Sequence, residues 1–497
     1  MSTLQADGTH RGPVRHEFAM KLQRATWVIV AAAVCAAVAV GFVWWHAGAQ
    51  RKILTASLPR RPNLGALPAE LLQRVTSCEQ RVQTGPDRVT ALGELSRLYH
   101  ANGFLAEASQ CYQGLLQVDS TNPHWTHLLA TVLAGYGQLE DALPLWRRTV
   151  KLAPGFLPAR LRLGDALLKM NQNVAAAEVY AAVLDREPDN PYALLGLARI
   201  DIDASRWDAA RGRLELAVTR TNYGIGYDLL PTVYEHLGNA DRAEAIRVRA
   251  KASGAYYDVP DPWIDDLVYD CYDTYRISAA AGTADHAGDT RTAIRVLERA
   301  LALDPNKAIF QFQMGGLHLK LGDDSNARRC FERCIVLAPN FSDGWAQLTD
   351  LLMKLGERAA SESVLAAGLA NCPNSPGLHL ERGRRLGAAG LSLNAIQEFQ
   401  QTIRLRPQEA DGYVELAMIY FHLDRIDEGV AELRKSLQIE PANPVALATL
   451  AFHAISVGDE AAAREWLGHI HQQPRISPET RDGLVQAFRQ KFGRPPE

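Results

Sequence analysis

The chain has 497 residues and a formal net charge of −3, with 22% charged and 47% hydrophobic residues. Its length allows either several domains or one long array of repeats. A nearly neutral chain lacks the basic surface that phosphate neutralisation requires, so we expect no nucleic-acid partner.

The N-terminal region combines a polar tail with one long apolar run. Residues 1–26 are polar, which predicts a short disordered tail. Residues 27–46 begin with the uncharged run WVIVAAAVCAAVAVGFVWW, which as a helix would reach about 28 Å, close to the roughly 30 Å hydrocarbon thickness of a bilayer. Trp27 and Trp45 at its ends are typical of interfacial anchors. We therefore predict a single-pass transmembrane helix over 27–46.

A cleaved signal peptide is the alternative for this region. Ala47, Gly48 and Ala49 fit the small-x-small cleavage pattern directly after the apolar run. Signal-peptide hydrophobic regions are usually shorter, about 7 to 15 residues, and this favours the uncleaved anchor. Lys and Arg are nearly balanced on the two sides of the run, so the orientation stays open.

Two short segments lead from this run to the remainder of the chain. Residues 47–67 contain Pro59 and Pro62, which is typical of a linker. Residues 68–88 place Leu71, Val75 and Cys78 at helical spacing. We expect a helix there that covers the exposed face of the first unit of an array.

A period of 34 residues organises most of the remaining chain. It is marked by Pro305, Pro339, Pro373, Pro407 and Pro441. Within the units, a small residue is followed four positions later by a large one, as at Ala108 and Tyr112 or at Ala327 and Phe331. Small residues at a crossing let two helices approach closely, and large ones fill the space between them. Proline then ends the second helix because it removes an amide donor.

This pattern resembles the tetratricopeptide repeat (TPR) family, and within it membrane-anchored TPR proteins of bacterial type. The resemblance implies an all-α fold, a TPR α-solenoid in which helix-turn-helix repeats form a right-handed superhelix, here preceded by one transmembrane helix. The period predicts about five repeats over 89–257, about six over 274–475, and a C-terminal capping helix and tail over 476–497.

An aromatic and acidic insertion at 258–273 interrupts the period, since Pro188 and Pro305 are 117 residues apart. Asp261 before Pro262 predicts a helix start. One interpretation is an extra helix, or a lengthened first helix, packed at the join between the two sub-arrays, with Trp263, Leu267 and Cys271 on its buried stripe, and this spacing favours it. The other is a recognition element for a partner. Its candidate residues are Tyr257, Trp263, Tyr269 and Tyr272.

Sequence patterns for chemistry are missing. The chain contains no H-E-x-x-H, G-x-S-x-G or P-loop motif, and its seven cysteines form no Cys-x-x-Cys pair. The pairs His124 with His127 and His469 with His471 lack a third ligand, so packing is favoured over a metal site. We therefore expect a non-enzymatic protein with no catalytic residue, metal or cofactor.

The TPR resemblance implies that a partner binds in the groove lined by the first helix of each repeat. The candidate groove residues are His127, Tyr192, Arg199, Phe312, Asp350, Arg384 and Phe421. Their mixed charge and aromatic character favours a protein or peptide partner. The Lys and Asn that hold acidic chaperone tails in some TPR proteins are absent, because His127 and Thr131, for example, stand at the corresponding positions.

We therefore expect a membrane-anchored scaffold for protein–protein interaction that assembles a membrane or envelope complex. The predicted location is the bacterial inner membrane, with the side of the repeats left open. The alternative is a subunit of an enzyme complex, in secretion, polysaccharide or cytochrome maturation, that contributes to a shared site.

Overall fold

The computed structural model describes residues 13–65, 68–252, 259–471, 473 and 476–496. At 13–26, 28–33 and 251–252 it describes the backbone alone. These residues form 26 α-helices and one short 3-10 helix, and they contain no β-strand. The prediction of an all-α fold is therefore confirmed.

Most of the helices follow one another as helix-turn-helix pairs. Two helices precede the pairs, α1 (Pro13–Ala56) and α2 (Ala69–Thr84). The first pairs are α3 (Arg88–Ala101) with α4 (Leu105–Val118), α5 (Pro123–Gly135) with α6 (Leu139–Leu152), α7 (Leu157–Lys169) with α8 (Asn173–Leu184), α9 (Pro191–Asp203) with α10 (Trp207–Arg220), and α11 (Gly224–His236) with α12 (Ala240–Ala252).

The insertion contains two short elements, α13 (Pro262–Asp265) and the 3-10 helix Asp266–Asp270. Further pairs follow: α14 (Thr274–His286) with α15 (Thr290–Leu303), α16 (Ala308–Lys320) with α17 (Asp324–Leu337), α18 (Ser342–Lys354) with α19 (Arg358–Asn371), α20 (Pro376–Ala388) with α21 (Ser392–Leu405), α22 (Asp411–His422) with α23 (Ile426–Ile439), and α24 (Pro444–Val457) with α25 (Glu460–His471). The last helix is α26 (Pro478–Phe492).

The turn inside each described pair contains one residue in the left-handed conformation. Gly322, between α16 and α17, has a φ of 73°. Glycine adopts this conformation without strain because it has no Cβ. In three of the pairs a residue with a side chain takes the same place, namely Asn171, Ser205 and Asp424. The turn thus recurs with the repeat even where its residue type changes.

The two helices of a pair approach closely at small residues. Ala327 and Phe331 of α17 are both fully buried, and Gly315 of α16 lies against the Phe331 ring. A Cβ atom at Gly315 would stand 2.5 Å from Cε1 of Phe331. Gly383 has the same relation to Phe399, also at 2.5 Å. These contacts are the small-to-large packing that the sequence period predicted.

Helices outside the pairs close the two ends of the array. The helix expected over 68–88 is α2, which packs on α3 and buries Leu71, Val75, Cys78 and Val82. At the other end α26 buries Leu484 and Phe488 in a cluster that includes Ile470. The N-terminus of α26 is capped by Ser477, whose side chain accepts a hydrogen bond from the Thr480 amide.

The first helix corrects two predicted boundaries. Residues 13–26 belong to α1, so a disordered tail is wrong for them, while residues 1–12 lie outside the described set. The chain between 14 and 40 contains no proline or glycine that would end a helix. The linker predicted over 47–67 is also wrong for 47–56, because α1 continues to Ala56 and Leu54 near its end is buried.

Among the described residues, no helix is both long enough and apolar enough to cross a membrane. The predicted span 27–46 falls within α1, and its side chains at 28–33 lie outside the described set.

The chain divides into two compact units. Unit 1 comprises Met1–Arg220 and Asp258–Arg276, and unit 2 comprises Thr221–Tyr257 and Ile277–Glu497. This division differs from the predicted sub-arrays. Helices α11 and α12 belong to unit 2, and the insertion belongs to unit 1.

Candidate partner-binding site

Residues 259–273, which we call the inserted segment, lie on the first helices of the unit 1 pairs. They contact α3 and α5 and reach side chains of α2 and α7. The expected single helix at the join between sub-arrays is therefore wrong. Helix α13 has four residues and the 3-10 helix has five, so the segment does not form one continuous α-helix.

The deepest contact joins Asp261 to His127 of α5. Nε2 of His127 lies 2.7 Å from Oδ2 of Asp261, and both side chains are fully buried. Nε of Arg162, on α7, lies 3.7 Å from the same oxygen. Asp261 stands at the N-cap of α13 as expected, but its carboxylate makes no capping hydrogen bond. It contacts the side chains of His127 and Arg162 instead.

An aromatic stack holds Trp263 beside this pair. The Trp263 ring lies 3.6 Å from the Phe156 ring, with 10° between their planes, and 3.9 Å from the His124 ring. The ring of His127 meets Trp263 edge-on at 5.5 Å. Partial burial, with the positive charge of Arg97, lowers the pKa of His124. The His124 imidazole is therefore neutral near pH 7, which suits it for stacking.

Asp270 forms the second charged contact. Its two carboxylate oxygens lie 3.0 Å from Nη2 of Arg74 on α2 and 2.8 Å from Nε of Arg97 on α3. Asn102 binds the backbone on either side: its amide donates to the Asp270 carbonyl at 2.9 Å, and its carbonyl accepts from the Tyr272 amide at 2.7 Å. The side chain of Asn102 thereby binds backbone groups of the inserted segment.

The other aromatic residues predicted for the insertion have different environments. Tyr272 is buried, and its hydroxyl donates to Glu70 at 3.1 Å and accepts from Arg74 at 3.3 Å. Tyr269 is 44% exposed. Tyr257 lies outside the described residues. The hydroxyl of Tyr272 is therefore held by side chains of α2.

Charge complementarity explains where the inserted segment lies. It carries five aspartates and no lysine or arginine. The surface beneath it presents Arg74, Arg97 and Arg162. The opposite charges on the two surfaces attract, and they do so more strongly where water is displaced. The candidate list from the sequence missed the arginines, although the acidic composition of the insertion was a signal for a basic counterpart.

A cleft remains next to the inserted segment. It has a volume of about 540 Å³ and lies within unit 1. Its lining includes Arg74, Gly93, Arg97, Trp125 and Asp270. The same arginines that bind Asp270 are therefore reachable from an open space.

The remaining candidate residues of unit 1 lie on α9. Arg199 is within 4.0 Å of Asp165, on the first helix of the preceding pair. Tyr192 is half-buried near the start of α9.

The other four candidates lie on first helices of unit 2. Phe312 packs on Phe331 and Phe341 at ring distances of 6.0 and 5.1 Å. Arg384 pairs with Glu415 of the next first helix at 2.7 Å. Asp350 is exposed on α18, and the Phe421 ring lies 6.3 Å from that of His453 on α24. These residues lie on four different helices rather than at one point.

Apolar side chains are exposed on α22 and α24, the first helices of the last two pairs in unit 2. Met418 on α22 is 43% exposed and Phe452 on α24 is 60% exposed. These two positions are 34 residues apart and are therefore equivalent in consecutive repeats. Val445, at the start of α24, is 47% exposed. Clustered exposed apolar residues are typical of an interaction surface.

The described residues contain no group of three or more His, Cys, Asp or Glu side chains that could hold a metal ion. The stack of helix pairs with side-chain contacts on its first helices defines a helical repeat protein of the protein-interaction class. Family models described as Tetratricopeptide repeat match residues 171–221, 280–343 and 380–444. The chain therefore contains tetratricopeptide repeats over these three stretches, and such repeats indicate a scaffold for protein–protein interaction.

Curated relatives match over a short region. The peroxisomal targeting signal receptors of Komagataella phaffii and Komagataella pastoris are each 31% identical to this chain over 84 residues. That region is 17% of this chain and covers 14% of either receptor.

Similar solved structures include three helical proteins. Yeast Tom70 is 14% identical with a TM-score of 0.38, covering 81% of this chain and 95% of its own. PilW, a type IV pilus biogenesis factor, is 18% identical with a TM-score of 0.37, covering 42% and 98%. YrrB, described as a TPR protein with an unusual peptide-binding site, is 19% identical with a TM-score of 0.28, covering 35% and 90%.

Proposed function

We propose that this protein is a membrane-anchored scaffold that binds an extended segment of a partner protein on the first-helix face of unit 2, within a membrane or envelope complex. The observation that carries the proposal comes from unit 1. There the first helices hold fifteen residues of the chain itself through Asp261, Trp263, Asp270 and Tyr272. First-helix faces of this chain thus have the chemistry to bind polypeptide.

The corresponding face of unit 2 supplies its own anchor points. Charged groups there are paired between neighbouring first helices, as Arg384 is with Glu415 and Lys320 with Asp285. Met418 and Phe452 remain exposed on adjacent repeats. A partner segment that places apolar side chains on these two positions would bury them, at about 25 cal/mol for each Å² removed from water.

Site-specific photo-crosslinking in cells tests this proposal. A photoreactive phenylalanine analogue is placed at Phe452 and, as a matched control, at Val336, which is 67% exposed on the second helix α17. We expect a discrete protein adduct from position 452 alone, and its loss when Met418→Asp is added. Equal adducts from both positions, or an adduct at 452 that survives Met418→Asp, would contradict a site on the first helices.

The membrane part of the proposal concerns residues 27–46. Val34, Val38, Phe42 and Trp45 are between 56% and 70% exposed on α1. We propose that lipid covers them and that the protein resides in the bacterial inner membrane. Replacing Val34 and Val38 by Arg is expected to cost about 2.5 to 3.5 kcal/mol each near the centre of a span.

Fractionation of cells followed by N-terminal sequencing tests the anchor. We expect the wild type in the membrane fraction with its original N-terminus, and the double Arg variant in the soluble fraction. Wild-type protein that starts at Gln50 would instead establish cleavage of a signal peptide. Intact wild-type protein in the soluble fraction would exclude the anchor.

A further inference from the structure

The inserted segment covers a surface of unit 1 that is built to bind acidic polypeptide. Three contact points can be separated: Asp261 on His127, Trp263 between Phe156 and His124, and Asp270 between Arg74 and Arg97. They combine a buried carboxylate, an aromatic ring two residues later and a second carboxylate. Aromatic side chains in slots and charge pairs cut off from water are the contacts that dominate binding energy.

The repeats beneath the inserted segment do not depend on it for their own contacts. Each pair in unit 1 packs directly on the next, since α4 contacts α5, α6 contacts α7 and α8 contacts α9. The segment buries its own Leu267, Cys271 and Tyr272, but the unit 1 side chains that pair with its carboxylates, Arg74, Arg97 and His127, are charged or polar. Such side chains would be solvated if the segment left, whereas an apolar core would not. The inserted segment therefore resembles a bound ligand more than a core element.

The cleft beside the inserted segment gives a competing ligand access to the site. The cleft of about 540 Å³ lies beside Asp270 and is lined by Arg74, Arg97 and the ring of Trp125. A second carboxylate entering this cleft would meet both guanidinium groups that hold Asp270. Exchange of one acidic segment for another would then proceed contact by contact, with Arg74 and Arg97 passing from one carboxylate to the other.

We propose that the first-helix groove of unit 1 is a binding site for a partner protein segment in which an aspartate precedes a tryptophan by two residues and further acidic residues follow. The inserted segment is the internal competitor for that site. A partner binds only when the inserted segment is displaced, so its apparent affinity is reduced by the fraction of molecules in which the groove is open. The proposal stands independently of the unit 2 site.

Peptide titration of the full-length protein tests this inference. The probe is a fluorescent peptide with the sequence of residues 259–273, and its control carries Ala in place of the tryptophan. The protein variant Asp261→Asn combined with Trp263→Ala weakens the internal competitor, whereas Tyr269→Ala alters an exposed side chain of the same segment. We expect the double variant to bind the peptide at least about tenfold more tightly than the wild type does, and Tyr269→Ala to behave as the wild type.

Charge reversal then locates the bound peptide. Adding Arg97→Glu to the double variant is expected to weaken peptide binding by about tenfold or more, because Arg97 would no longer pair with the second carboxylate. A folded double variant that does not bind the peptide overturns the proposal. So does equal binding by the wild type and the double variant, or a wild type that exchanges inserted segments between two copies as a stable dimer.

Hydrogen exchange on the wild type keeps the test decisive if the double variant does not fold. Amides of residues 263–270 are expected to exchange at least about tenfold faster than the central amides of α5, because the segment opens without unfolding of the repeats. Excess peptide is expected to accelerate exchange in 263–270 further. Exchange of 263–270 at the same rate as α5 would show that the segment is an inseparable part of unit 1 and would overturn the proposal.

Discussion

Nε2 of His127 lies 2.7 Å from a carboxylate oxygen of Asp261, and neither side chain is exposed. The two residues are 134 positions apart in the chain. Oδ1 of Asp261 and Nδ1 of His127 have no hydrogen-bond partner among the described residues. The hydrogen bond between Nε2 and Oδ2 is therefore the main contact that offsets the cost of burying the imidazole and the carboxylate.

Removing the Asp261 carboxylate is expected to destabilise unit 1. Asp261→Ala removes the partner of the His127 imidazole, and the loss of unfolding free energy is at most about 3 to 5 kcal/mol, the cost of a broken buried pair, because opening of the inserted segment lets water reach His127. Asp266→Ala is the matched control because Asp266 is exposed on the same segment, and its effect is expected within about 0.5 kcal/mol. Urea unfolding followed by circular dichroism measures both. Equal effects of the two substitutions would contradict the importance of the buried pair.

The stability of unit 1 is expected to depend on pH through His100. Burial, with the positive charges of Arg276 and His127, lowers the pKa of His100 from 6.5 to about 4. The unfolded chain therefore takes up this proton first as the pH falls. Stability is complete above pH 6.5 and is lost as the pH falls from 6.5 to about 4, by on the order of 3 kcal/mol.

The variant His100→Asn removes this titration and supplies the comparison for that experiment. Thermal unfolding between pH 7 and pH 4 is expected to show a shallower decline for the variant than for the wild type. Parallel declines of the two proteins would mean that other groups cause the acid sensitivity.

Two adjacent glycines of α16 are expected to respond in opposite directions to alanine. A Cβ at Gly315 would meet the Phe331 ring at 2.5 Å, whereas a Cβ at Gly316 would meet nothing within 4 Å. Gly315→Ala is therefore expected to destabilise by about 1 to 3 kcal/mol through overpacking. Gly316→Ala is expected to stabilise by about 0.5 to 1 kcal/mol because alanine favours the helix. Unfolding midpoints that shift in the same direction would contradict this packing of the helix pair.

The left-handed turn residue offers a test of backbone strain without side-chain contact. Gly322 has a φ of 73°, and a Cβ there would meet nothing within 4 Å. Gly322→Ala is expected to cost about 1 to 2 kcal/mol from backbone strain alone. The reverse change, Ser205→Gly, relieves the same strain at a φ of 56° and is expected to stabilise by a smaller amount, since glycine has more freedom when unfolded. Unfolding midpoints in urea check both, and a neutral Gly322→Ala would show that this turn adapts to a side chain.

Local rules were sufficient to predict the repeat architecture. The 34-residue period, the small and large residues such as Ala327 and Phe331, and the prolines depend only on contacts within a helix pair or between neighbouring pairs. The helix α26 could likewise be predicted, because an apolar stripe after the last repeat has to be covered. The left-handed turn positions were not predicted from the sequence, and Ser205 in particular carries no strong signal for that conformation.

The position of the inserted segment was decided by tertiary structure. From the sequence, Trp263, Leu267 and Cys271 indicated one buried helix face, and the segment was expected at the join between two sub-arrays. In the folded chain α13 ends after four residues; Asp261 and Trp263 contact α5, and Asp270 pairs with α2 and α3. Helical spacing reports which side chains share a face of one element, but it says nothing about charged partners such as Arg97 and Arg74 that lie more than 150 residues away. Those long-range charge and stacking contacts outweighed the local helical preference, and only the folded arrangement of the first helices could bring them together.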